Sequence, residues 1–144
     1  MAKGYPDYFG QSIWPKYGPI KNDTNNVLIA GLATTILTQI TSMGVLCFLR
    51  IQISGVFDGL SYVLKMYVDN QIIQESSAGT YGILDTSPAS NMPLVCTFKD
   101  VLTLVTIVEL HRDVPFGSSL KITIDTPGGA NLSIDTTVNY YEIL

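Results

Sequence analysis

His111 is the single histidine of the chain, and in "VELHRDVP" it stands two residues from both Glu109 and Asp113. A nucleophilic serine needs such a base and a carboxylate to orient it. No serine here sits in the glycine-flanked turn that exposes a nucleophile, so the trio reads as a solvent-facing strand end. Glycoside hydrolysis needs two carboxyl groups held across a cleft. Glu75, Glu109 and Glu142 offer such pairs only by chance, and Asp58, Asp69 and Asp85 sit in turn sequences ("FDG", "VDN", "LDTSP"). No DxDxDG calcium loop occurs. Cys47 and Cys96 fall inside apolar runs ("GVLCFL", "PLVCTF") without CxxC spacing or a histidine cluster, and read as buried thiols; a disulfide remains open should their strands face each other. The sequons at Asn22 and Asn131 read as chance matches, because the opening "MAKGYPDYFG" does not read as a secretory leader. No catalytic residue, cofactor or metal site is expected, and the chain reads as a non-enzyme.

The elements that would have to position a site are strands. From residue 27 onward apolar residues recur with period two, which marks β-structure rather than helix. In "VLCFLRIQI" the alternation assigns Val45, Cys47, Leu49, Ile51 and Ile53 to one face and Leu46, Phe48, Arg50 and Gln52 to the other. "LSYVLKMYVDNQIIQES" reads as a hairpin, because Asp69 and Asn70 tolerate the positive φ of a tight turn. "SSAGTYGILDTSPASNMP" is a long loop with a short strand around Tyr81–Leu84. "VLTLVTIVELHR" reads as one run, with Leu102, Leu104, Val108 and Leu110 on one face. In "SSLKITID" Leu120, Ile122 and Ile124 point in and Lys121, Thr123 and Asp125 out; Leu132, Ile134, Val138 and Tyr140 share a face of the last strand. The turns "RDVPFGSS" and "TPGG" stop strands with Pro and Gly.

Composition agrees with a single domain. The chain has 144 residues, of which only 14% are charged, against about 25% in an average soluble protein. Its net charge is −4 and its lysines and arginines stand singly, so nucleic acid is not an expected partner. The charge-free run Val27–Leu49 is long enough to cross a bilayer as a helix. Its threonines, glycines and β-branched residues favour two strands with a turn at "TSMG" instead, and no membrane is expected. The fold expected is all-β: about eight antiparallel strands in a single β-sandwich or barrel over residues 27–144, preceded by an extended arm over residues 1–26.

That arm is the unusual feature. "GYPDYFGQSIWPKYGP" carries Tyr5, Tyr8, Phe9, Trp14 and Tyr17 among prolines that remove donors and hold the backbone extended. Disordered tails are poor in aromatics. Rings at irregular intervals on an extended segment suit pockets on another surface, either this domain's own sheet or a neighbouring subunit. The five rings are the expected partner-binding residues.

With the strand ends "VPFGSSLKITID" and "LSIDTTVNYYEI", the aromatic arm and a surface of Ser, Thr and Asn, the chain resembles the small jelly-roll structural proteins of virions. Capsid decoration or cementing proteins, and spike or fibre base domains of tailed phages, are the nearest kinds. The resemblance implies a homo-oligomer, commonly a trimer on a symmetry axis of a shell, bound to a major capsid or other shell protein. It makes Tyr5–Ile20 the gripping element and implies assembly into virions in the host cytoplasm. Two alternatives stand beside it. A carbohydrate-binding module or receptor-binding head would use Tyr62 or Tyr67, Tyr81, and the Tyr140–Tyr141 pair. A filament subunit would donate its arm as a strand, which its three prolines disfavour.

Overall fold

The computed structural model describes residues 17–55, 62–78, 92–127 and 129–144. These form ten strands and no helix: β1 (Lys21–Gly31), β2 (Thr34–Ile40), β3 (Gly44–Gly55), β4 (Val63–Val68), β5 (Gln71–Ser77), β6 (Leu94–Asp100), β7 (Val105–Leu110), β8 (Val114–Phe116), β9 (Leu120–Asp125) and β10 (Ala130–Glu142). The pairing is antiparallel throughout, in one sheet ordered β1-β10-β3-β7-β6, with β8 beside β3, and a second ordered β2-β9-β4-β5. The chain changes sheet at most connections and stays within one at the hairpins β4–β5 and β6–β7 and from β7 to β8. This is a β-sandwich, one of the two all-β architectures that the alternating runs lead one to expect.

The core lies between the sheets. Leu46, Leu49, Ile51, Ile53, Ile134 and Val138 of the larger sheet meet Leu37, Leu64, Met66, Leu120, Ile122 and Ile124 of the smaller one. Gln74 ties the sheets together along one side: its side-chain amide donates to the Leu94 carbonyl at 2.9 Å, and its carbonyl oxygen accepts the Leu94 N–H at 2.8 Å.

Ten strands rather than about eight arise at two places. The run before "TSMG" breaks at Gly31, whose φ of 83° suits glycine, so β1 and β2 lie in different sheets. The fully buried Thr126 holds this crossover by donating to the Gly31 carbonyl and accepting the Ala33 N–H. The second place is "VPF", inside what reads as a turn, which pairs with β3 as β8. The larger sheet also reaches back to Lys21, so residues 21–26 belong to β1 rather than to an unpaired arm. Their polar "KNDTNN" lacks a strand alternation, and pairing with β10 supplies what propensity does not.

Two facings differ from the simple alternation, and one outward-facing residue is buried all the same. A bulge in β3 sets Phe48 opposite Asn139 and Leu46 opposite Tyr140. It buries Leu46 and turns Val45 and Cys47 to the outer face, because an extra residue reverses the side-chain parity of everything before it. "VLTLVTIVELHR" is not one strand: residues 101–104 turn, the Asp100 carboxylate accepts the Leu102 N–H at 2.9 Å, and Leu104 adopts a φ of 57°. Leu102 is consequently 86% exposed. Thr123 does point outward, yet it is buried between its cross-strand neighbours Ile36 and Lys65. The β4–β5 turn is as read, with Asp69 and Asn70 at φ of 52° and 67°. No disulfide joins Cys47 and Cys96. Val27–Leu49 is strands and turns, and no helix of the described residues is long and apolar enough to cross a membrane. The strand expected around Tyr81–Leu84, and the turns at Asp58 and Asp85, lie outside the described residues.

Candidate functional site

The N-terminal arm joins the sandwich at the end of β10. Tyr17 forms an antiparallel bridge with Ile143, and the Gly18 N–H donates to the Glu142 carbonyl at 2.8 Å. The Tyr17 ring meets Tyr141 edge to face, with centroids 4.9 Å apart and planes at 85°. Lys21 closes the joint through an ion pair with Glu142, which raises the lysine pKa. β10 is itself fixed here, since Ile143 donates to the Met43 carbonyl at 2.8 Å. At Gly44 a side chain would collide with the Tyr141 carbonyl and the Phe116 ring. The chain thus enters and leaves the sandwich side by side.

The joint is apolar and open. Tyr17 is 54% exposed, and Ile20 three residues on, Met43 at the Ile143 hydrogen bond and Leu144 beside Gly18 are exposed as well. On the outer side Cys47 donates its thiol to the Asn139 carbonyl at 3.2 Å. Burial pushes both the Cys47 thiol and the Tyr141 phenol upward, and the Asp113 charge adds to each. Neither group is poised to ionise at neutral pH.

Of the five arm aromatics, Tyr17 is placed at this joint; Tyr5, Tyr8, Phe9 and Trp14 lie outside the described residues. Of the other half of the site, the sequence offered Tyr141 only as a sugar-stacking candidate beside Tyr140, and Ile143 and Leu144 were missed. The signal was there in "YYEIL": two large apolar residues continuing to the last position, past the point where β10 needs them for the core.

Other candidates disperse. His111 is exposed just beyond β7, and Glu109 accepts the Thr97 hydroxyl at 2.7 Å. No three of His, Cys, Asp and Glu gather into a metal-binding group among the described residues. Two shallow depressions, of about 440 and 310 Å³, run along β1 and β10, and Asp135 is the one titratable side chain lining either. Of the tyrosines a sugar could stack on, Tyr62 is buried and Tyr140 packs against the core. Tyr67 is covered by the Lys121 ammonium 4.6 Å from its centroid, and Tyr81 lies outside the described residues.

No protein-family model and no curated protein matches the chain. The joint presents exposed aromatic and aliphatic surface at a fixed point, and the sequence that precedes it carries four more rings.

Proposed function

We propose that the chain is a non-enzymatic structural protein of a virion, one that decorates or cements a capsid or similar shell. It works as a homo-oligomer, a trimer on a symmetry axis, and its N-terminal arm grips the major capsid or other shell protein. The carrying observation is the clamped arm base. Tyr17 is held by Tyr141 and Ile143, and the next residue, Gly18, by the Glu142 carbonyl, while half of the Tyr17 surface stays open. An arm fixed at its root spends less conformational entropy on reaching a partner than one swinging from a loose terminus. The jelly-roll-like strand order and the uncharged polar surface support the same reading.

Binding to shells is the test. The full chain should co-sediment with shells, and the chain without residues 1–16 should not, while keeping its β-type circular dichroism. Trp14 is the only tryptophan, so its emission should shift to the blue when shells are added. Shell binding that survives the deletion, or a Trp14 emission that shells leave unchanged, refutes the arm as the grip.

A further inference from the structure

A β-sandwich of two open sheets has four edges, and each unblunted edge invites another strand. Three of the four here are broken by a bulge. β2 carries Leu37 as an extra residue between Ile36 and Thr38, β5 carries Ile73 opposite the Met66–Tyr67 step, and β6 carries Thr97 between Cys96 and Phe98. β1 is different. Its pairing with β10 runs without a shift from Lys21↔Tyr140 to Gly31↔Ala130, over 11 residues without proline.

The backbone groups on its outer side can be assigned. Ile143 donates toward β3, to the Met43 carbonyl, whereas the neighbouring Glu142 carbonyl faces the arm. The Asn139 carbonyl also faces β3, where the Cys47 thiol reaches it. Successive residues of an antiparallel ladder alternate the side to which both backbone groups point. Even-numbered residues of β10 therefore face β1 and bond its odd-numbered residues, through Lys21↔Tyr140, Asp23↔Val138 and the pairs that follow. The N–H and C=O groups of Asn22, Thr24, Asn26, Leu28 and Ala30 are left pointing outward.

Nothing folds across that edge among the described residues. β2 approaches it through a side chain, the Asn25 amide reaching the Leu37 carbonyl at 3.4 Å, and not through a ladder. Asn22 and Asn26 turn their side chains back over β10, donating to Asn139 and Asp135.

We propose that β1 is the edge through which two copies of the chain join, β1 against β1 across a two-fold axis at Asn26, into one continuous sheet. The outward set is symmetric about Asn26. In that register Asn22 meets Ala30, Thr24 meets Leu28 and Asn26 meets its own copy, which uses every outward N–H and C=O. Lys21 falls opposite Gly31 and Asp23 opposite Ile29, so no like charges oppose. A second copy fits this edge better than the arm, whose prolines interrupt a ladder. Edge pairing without a large side-chain interface is weak in dilute solution, and copies held near one another multiply its effect. The inference is independent of the shell reading, since it joins units two by two whether each unit is one chain or a trimer.

Charge swaps at the exposed Thr24 and Leu28 test it. In the proposed register these residues face each other twice, so Thr24→Lys with Leu28→Lys places like charges at both contacts, and Thr24→Glu with Leu28→Lys places opposite charges there. Sedimentation velocity of the full chain over increasing concentration should show mass doubling. The Lys/Lys variant should need about tenfold more protein to double, and the Glu/Lys variant should double at least as readily as the wild type, with all three melting alike. Equal doubling by both variants overturns the proposal. So does a full chain that never doubles, including the case in which removing residues 1–16 releases a dimer, which would make the arm the occupant of the edge.

Discussion

Asp69 does two jobs with one side chain. Its backbone takes the positive φ that the β4–β5 turn needs. Its carboxylate accepts the N–H groups of Gly117, Ser118 and Ser119 and the Ser118 hydroxyl, at 2.7 to 3.1 Å. Those backbone donors hold its pKa at about 2, below the ordinary 3.8. A depressed carboxylate pKa adds stability above the unfolded value and loses it as pH falls through the folded one. The clamp between the β4–β5 turn and the β8–β9 loop is thus intact above pH 4 and released between about 4 and 2. Asp69→Asn keeps the turn geometry and removes the charge. Its melting temperature should lie below wild type at neutral pH, and the gap should close as thermal melts are taken down to pH 2. A gap that is constant with pH would mean the carboxylate's charge is irrelevant to the loop. "VDN" announced the turn in the sequence, but the loop that the carboxylate holds lies 48 residues away, at a distance no local pattern reports.

Among the elements, strands were legible wherever one face is buried and the register unbroken. β4, β9 and β10 followed their alternation because each pairs on both sides or packs a full apolar row. The failures are bulges and special dihedrals. Cys47 is an unremarkable member of "VLCFLRIQI", yet as the bulged residue it swaps the facing of Val45 and Leu46. Leu104 enters a left-handed conformation that disfavours leucine, so "VLTLV" looked like uninterrupted strand. Gly44 shows the same dependence on a distant partner. It begins β3 where β10 and β8 both crowd it, and a Cβ there would strike the Tyr141 carbonyl and, at 3.0 Å, the Phe116 ring. Backbone cannot yield as a flexible side chain does. Gly44→Ala should therefore lower stability in urea by about 1–3 kcal/mol, despite the lower entropy of an unfolded alanine. A variant as stable as wild type would show that β3 and β10 can separate at this joint without loss.

At the scale of the whole molecule, where the arm ends and the fold begins decides what the N-terminal residues can be for. The described core closes without them: its first member is Ile29, with Val27 packed against it, and both lie late in β1. Removing residues 1–16 should therefore leave the melting temperature within about 2 °C of wild type. Removing residues 1–20 also takes away the Tyr17–Tyr141 contact and the Gly18 hydrogen bond. Those are worth on the order of 1–2 kcal/mol together, or about 2–8 °C for a domain of this size. Extending the cut through residue 26 strips the pairs from Lys21↔Tyr140 to Asn26↔Asp135 and opens the outer half of β10. A cut through residue 31 takes Ile29 and the crossover held by Thr126, and no cooperative fold should remain. Thermal melts of the four truncations would read this order directly. A collapse already at residue 16 would make the aromatic segment part of the sandwich's own core, and the arm could not then be a grip held out to a partner.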